Sequence, residues 1–150
     1  ISTHLYSDGD LWDLIHIPGG GALHPTSQYT LENKYHYIKM KGNETYKVAV
    51  KILEDLVIET LKVNKLEPSN LSLLIPHQAN LRIILSAAKR LGIGLEKVLI
   101  NIDKYGNTSA ASIPIALDEA VDSGRIKKGD YILLEAIGAG LTWASALIKW

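Results

Sequence analysis

Between residues 71 and 148 the chain alternates short apolar runs with amphipathic stretches, and this alternation restricts its fold more than any other feature. Residues 71–76 form a strand-sized apolar run. Residues 80–91 put Leu81, Ile84, Leu85, Ala88 and Leu91 at helical spacing, with Asn80 suited to cap the start and Gly92 and Gly94 to stop the end. Residues 98–102 read as a second strand. A second helix is predicted from Thr108 or Ser109 to Val121, with Pro114 tolerable in its first turns. Residues 131–137 and 142–148 read as two final strands joined at Gly138-Ala139-Gly140. Upstream, residues 1–6 look like strand, and residues 7–36 are loop-rich, broken by Pro18, Pro25 and Gly19-Gly20-Gly21. Asn43 can cap a long helix to about Asn64, striped by Tyr46, Ala49, Val50, Leu53, Leu56, Val57 and Leu61. Strands alternating with helices predict an α/β domain built on a five-stranded mixed sheet, with a helix on each face.

Composition narrows the function classes. A chain of 150 residues is long enough to bury a core as one domain. Sixteen Lys and Arg balance sixteen Asp and Glu, so bulk charge points neither to nucleic acid nor to a membrane surface. No apolar run approaches the roughly 18 residues of a membrane span. A secretion signal is not evident, and the expectation is a cytoplasmic protein. Cysteine is absent, which excludes disulfides and any thiol nucleophile or thiolate metal site within these residues. His4, His16, His24 and His36 have no metal-ligand spacing, and no metal is expected. The opening run reads like a strand already under way, which predicts a piece of a longer protein.

Two segments carry chemistry. Pro76-His77-Gln78-Ala79-Asn80 and Tyr105-Gly106-Asn107-Thr108-Ser109-Ala110-Ala111-Ser112 each join a predicted strand end to a helix start. A lone His at a strand end is more often structural, and an Asn after Gly is more often a turn or cap residue. Together they are another matter. Ligands of open α/β sheets sit beyond the carboxyl ends of the parallel strands, and His77 and Asn107 both occupy that edge. Two such donors can meet at one thioester carbonyl oxygen and stabilise charge that develops there. Gly138-Ala139-Gly140 lacks the third glycine and the strand–loop–helix context of a dinucleotide loop, so a pocket-lining backbone or a tight hairpin is expected instead. Asp118 and Glu119 read as solvated or helix-packing residues.

These runs, with Gly42-Asn43-Glu44, Lys47-Val48-Ala49-Val50, Ala116-Leu117-Asp118-Glu119-Ala120, Glu135-Ala136 and Thr142-Trp143, resemble the signatures of the β-ketoacyl-acyl carrier protein synthase III family, across essentially the whole chain. The resemblance implies a thiolase-like fold of two similar halves, of which residues 1–150 match the C-terminal one. The nucleophilic Cys belongs to the N-terminal half. The implied reaction is decarboxylative condensation of acetyl-CoA with malonyl-acyl carrier protein, without cofactor, in a homodimer. His77 and Asn107 would hold the malonyl thioester oxygen. Gln78, Ala79, Asn80, Leu81, Arg82, Lys47, Lys89 and Arg90 would meet the acyl carrier protein. Gly42, Asn43, Tyr46, Ala79, Asn80 and Ile137 would line the substrate tunnel or acyl pocket. Ile137, Ala139 and Leu141 depart from the pattern, which has aromatic residues in place of Ile137 and Leu141 and Gly in place of Ala139. Two alternatives stand beside this reading: a related condensing enzyme of secondary metabolism, and a non-catalytic half-domain that binds carrier protein.

Overall fold

The computed structural model describes residues 1–150. Its main sheet has four strands in the order β1-β6-β5-β4: β1 (Ser2–Ser7), β4 (Leu73–Pro76), β5 (Tyr131–Gly138) and β6 (Thr142–Lys149). β1 and β5 both run antiparallel to β6, and β4 runs parallel to β5, so the sheet is mixed. A small antiparallel pair, β2 (Ile15–His16) and β3 (Lys39–Met40), closes the irregular region, which also holds α1 (Gln28–Glu32).

The predicted fifth strand is reduced to a single bridge, Val98 beside Leu74. The sheet is thus four-stranded rather than five-stranded. The cause is a side chain from elsewhere. Gln78 Oε1 accepts the N–H groups of Asn101 (3.0 Å) and Ile102 (3.1 Å), which turns the backbone out of the ladder and into the short helix α4 (Ile102–Tyr105).

Helices cover both faces. α2 (Gly42–Val63) and α3 (Leu81–Leu91) lie on one, where Val57, Leu61, Ile84 and Ala88 pack with Leu74, Leu133 and Leu147. α5 (Ser112–Asp122) lies on the other, where Ala116 and Ala120 meet Leu73, Ile75 and Ile132. The period of two along β4 and β5 produces this division, since Leu73 and Ile75 face one way and Leu74 the other. α5 packs on the β4 side of its face, and Leu5 of β1 remains 78% exposed.

α3 begins and ends as its sequence predicts. The Asn80 side chain accepts from Arg82 N, and Gly92 takes the left-handed conformation that only a residue without Cβ adopts freely. α2 starts one residue before Asn43 and has no side-chain cap; Thr45 Oγ1 instead donates to the Lys41 carbonyl at 2.8 Å.

Candidate functional site

A cleft of about 880 Å³ opens where the carboxyl ends of β4 and β5 meet the start of α2, and both His77 and Asn107 line it. His77 follows the last residue of β4, and its backbone N–H donates to the Glu135 carbonyl at 2.7 Å. The bond extends the parallel ladder by one rung and fixes the residue against β5. The imidazole is half-buried, and loss of solvent lowers its pKa below the usual histidine value. It is therefore neutral at pH 7, with one nitrogen as donor and one as acceptor.

Asn107 reaches the cleft by a different route. Gly106 adopts a φ of 68°, and the Asn107 Oδ1 accepts the Ser109 N–H at 2.9 Å. Its carbonyl end is thus occupied by the backbone, and its NH2 remains as the donor. The preceding turn is held from α5: Glu119 accepts from the Asn101 side chain at 2.8 Å, from Lys104 at 3.1 Å and from the Tyr105 hydroxyl at 2.9 Å. These bonds, led by that of Asn101, hold its carboxyl below the usual carboxylate range. Glu119 is no solvated bystander but the anchor of the segment that delivers Asn107. Its offset from Lys104 and Tyr105 across a loop left no periodic signal.

Gln78 needs a correction. The sequence placed it among residues that meet a partner protein, yet it is 1% exposed. Its Nε2 donates to the carbonyls of Pro76 (2.8 Å) and Leu99 (3.2 Å), while its Oε1 takes the two N–H groups of residues 101 and 102. All of its hydrogen-bonding capacity is spent inside the protein, so it staples the His77 segment to the Asn107 segment.

The remaining predicted residues divide by place. Gly42, Tyr46, Ala79, Asn80 and Ile137 line the cleft. Asn43 does not; as the neighbour of Gly42 on α2 it is turned about 100° round the helix and is exposed. Leu81, Arg82, Lys47, Lys89 and Arg90 are all on the surface. Arg90 pairs with Glu54 at 2.8 Å, which satisfies its charge locally. Arg82 instead lies over the Tyr46 ring, 5.2 Å from its centroid, and the Tyr46 hydroxyl bonds Ser86 at 2.8 Å. A basic side chain is thereby stacked on a residue of the cleft wall. The wall also takes Leu141, in the loop whose departure from the family pattern the sequence had marked, and Leu5, Tyr6, Ile38 and Met40, which sequence reasoning missed because they come from β1 and the irregular region. Ile137, Gly138 and Ala139 border the cleft, and the same glycine-bearing loop turns β5 into β6, so both roles expected of it are combined.

The arrangement offers two neutral N–H donors, one from a ring and one from an amide, in a largely apolar cleft with no cluster of His, Cys, Asp or Glu able to hold a metal. The chain is 53% identical over all of its 150 residues to the β-ketoacyl-[acyl-carrier-protein] synthase III of Sodalis glossinidius, and 51% identical to that of Escherichia coli K12. It spans about 45% of the length of those relatives. The crystal structure of 3-oxoacyl-[acyl-carrier-protein] synthase III from Aquifex aeolicus superposes with a TM-score of 0.85 at 46% identity, over 99% of this chain and 43% of that one. The Thermus thermophilus enzyme superposes equally well at 41% identity, over 99% of this chain and 45% of that one. Residues 61–150 match the family model described as 3-oxoacyl-[acyl-carrier-protein (ACP)] synthase III C terminal, and the chain belongs to that family.

Proposed function

We propose that these residues form the C-terminal half of a β-ketoacyl-acyl carrier protein synthase III and supply its decarboxylation site. The carrying observation is that His77 and Asn107 line one cleft, where the neutral imidazole keeps one ring N–H to donate and the Asn107 Oδ1, occupied by the Ser109 N–H, leaves its NH2 to give. In the reaction, the bond between the malonyl α-carbon and its carboxylate breaks and releases CO2. The electron pair moves onto the thioester oxygen as an enolate, which His77 and Asn107 stabilise. The enolate carbon then attacks an acetyl group carried as a thioester on the Cys of the N-terminal half, and the thiolate leaves. Donors oriented before charge develops contribute most, because they need no reorganisation in the transition state. The exposed apolar surface at Leu5 and the open cleft support an N-terminal half seated against β1 and β6.

Acyl carrier protein is the partner this reading requires, meeting Arg82, Lys47, Lys89, Leu81 and the exposed ends of Ala79 and Asn80. The substrates are acetyl-CoA and malonyl-acyl carrier protein, no cofactor takes part, and the complete enzyme is a cytoplasmic homodimer. No helix is long and apolar enough to cross a membrane. A second reading keeps the chemistry and changes the primer. Ile137 and Leu141 line the cleft where aromatic residues were expected, which favours an acyl group other than acetyl.

The test is a two-step assay on the complete enzyme. His77→Ala and Asn107→Ala should each lower CO2 release from malonyl thioester by roughly 10²–10³, while radiolabel from acetyl-CoA still loads the cysteine. The double variant should be little worse than either single one if the donors act as a unit. A His77→Ala enzyme that releases CO2 normally yet fails to load would make His77 the base for the cysteine and sink the assignment.

A further inference from the structure

One register row across the sheet is polar and sits beneath a helix. His4 of β1 lies opposite Ser145 of β6, and Ser145 lies opposite Glu135 of β5, so the three side chains share a face. It is the face covered by α2, because Thr60 of that helix bonds Ser145 at 2.6 Å. Thr60 gives its hydroxyl proton to the Leu56 carbonyl at 2.7 Å. The proton between Thr60 and Ser145 therefore comes from Ser145, whose oxygen is left with lone pairs to offer. On one side of it stands the Glu135 carboxyl, 1% exposed, with neither oxygen partnered. On the other stands the buried Nε2 of His4, also unpartnered. A buried polar group left without a partner is costly, and such groups usually bond one another or share a bound water.

We propose that Glu135 is a positioning residue for His77, acting through the buried row Glu135–Ser145–Thr60–His4 that fixes the end of β5. The inference rests on the reading of His77 given above only for its consequence in catalysis. The link is direct in the backbone: the Glu135 carbonyl receives the His77 N–H at 2.7 Å, and Glu135 is the register partner of Pro76. A shift of residue 135 moves the rung from which the imidazole hangs.

Burial pushes the Glu135 carboxyl up to about 8, so near neutral pH it is a neutral acid with an O–H to donate. No charged group opposes this from the packed elements. On α2, Glu59 accepts from the Tyr6 hydroxyl and Glu54 pairs with Arg90, both away from the row. On α3, Arg82, Lys89 and Arg90 are exposed. β1 contributes His4 and Tyr6, β4 presents no ionisable group, and the only others on this face are Tyr131 and Lys149, paired with each other four residues along β5 and β6 with the Lys149 ammonium over the Tyr131 ring. An O–H from Glu135 toward Ser145, directly or through one water, ties β5 to β6 and, through Thr60, to α2.

The experiment compares Glu135→Leu, Glu135→Gln and Ser145→Ala in the complete enzyme. The His77 ring signal is followed by nuclear magnetic resonance, assigned by its loss in His77→Ala. CO2 release and cysteine loading are measured separately. Glu135→Leu should move the His77 signal and slow CO2 release at least tenfold, with KM for the malonyl thioester and the loading rate within about twofold, since a misplacement of about 1 Å can cost roughly 10²-fold. Glu135→Gln keeps a neutral donor and should restore both at pH 7. Above pH 8, where the native carboxyl ionises, the native enzyme should lose rate and Glu135→Gln should not. Ser145→Ala should show the same split more weakly, and it decides the matter if Glu135→Leu does not fold. An unmoved His77 signal in both Leu and Ala variants overturns the proposal, as do equal losses in the two steps. If His77→Ala leaves CO2 release intact, the reading of the site fails, and the His77 signal alone still decides whether Glu135 positions it.

Discussion

Replacing Gln78 by Leu separates a structural staple from a docking residue. The change removes four hydrogen bonds at one stroke, two given to the carbonyls of Pro76 and Leu99 and two taken from the N–H groups of Asn101 and Ile102. Pro76, Leu99 and Asn101 are buried, so their backbone groups have little access to water as a replacement. Each buried group left unpaired costs about 1–3 kcal/mol. Burying Leu at a site that holds Gln returns about 1–2 kcal/mol. The net loss should be roughly 3–5 kcal/mol, a large part of the 5–15 kcal/mol typical of a domain. Urea unfolding of the complete enzyme would show it as a lower midpoint with an unchanged slope. Kinetics should fall alongside, because the staple joins the His77 and Asn107 segments. Condensation should drop about tenfold or more whether the malonyl group is carried by CoA or by carrier protein. Stability within about 1 kcal/mol of native, or a loss confined to carrier-protein substrates, would refute the staple and return Gln78 to the surface.

The other predictions concern charge. Arg82→Glu should lower kcat/KM for malonyl-acyl carrier protein by about tenfold at low ionic strength and leave the CoA thioester nearly unaffected, with the difference shrinking as salt rises; equal losses for both substrates would count against docking. Glu135 should make the folded enzyme lose stability with rising pH. Its carboxyl ionises near 4.5 when exposed and about 8 when buried, so the folded state keeps a proton that the unfolded chain gives up. Its contribution is whole below pH 4.5, fades across the window to about pH 8, and is then flat. At about 1.36 kcal/mol per pH unit the fall comes to roughly 5 kcal/mol. Denaturation midpoints of Glu135→Gln should lack that slope, and parallel curves for the two proteins would disprove it.

Much of this was legible because the signals are local. The Asn80 cap, the Gly92 stop and the turn at Gly138-Ala139-Gly140 are set by residues within a few positions of one another. The periodic stripe of α2 was legible for the same reason, although its start was not, since Asn43 resembles a cap but lies inside the helix. That the strand predicted at residues 98–102 is reduced to one bridge was illegible for a different reason. Its apolar run has strand character, but the N–H groups it would have needed are claimed by Gln78, more than twenty residues away. Glu135 did leave a trace. In Leu133-Glu135-Ile137 the period of two puts an acid on the helix-covered face, but an alternation of this kind shows burial and not which groups surround the acid.

The site depends on buried polar groups more than on the apolar core around it. Leucines and isoleucines packed between sheet and helices set the layers but are non-directional, and an N–H aimed at a developing oxyanion needs direction. Direction comes from bonds with a fixed geometry: Glu135 O on His77 N, Asn107 Oδ1 on Ser109 N, Gln78 between the two segments, and Glu119 on the turn before Asn107. These four lie on different elements, so the two donors are held independently and not by one loop that could carry both away together. Gln78 is the exception that couples them. A defect there should misplace His77 and Asn107 at once, whereas a defect at Glu119 should reach Asn107 first. The same logic explains why Arg82 can be exposed without being free. Stacked on Tyr46, which is itself bonded to Ser86, it presents a charge at the mouth of the cleft while its guanidinium leans on the wall. On the proposed function, an acidic partner drawn to Arg82 would arrive beside the cleft that takes the thioester arm.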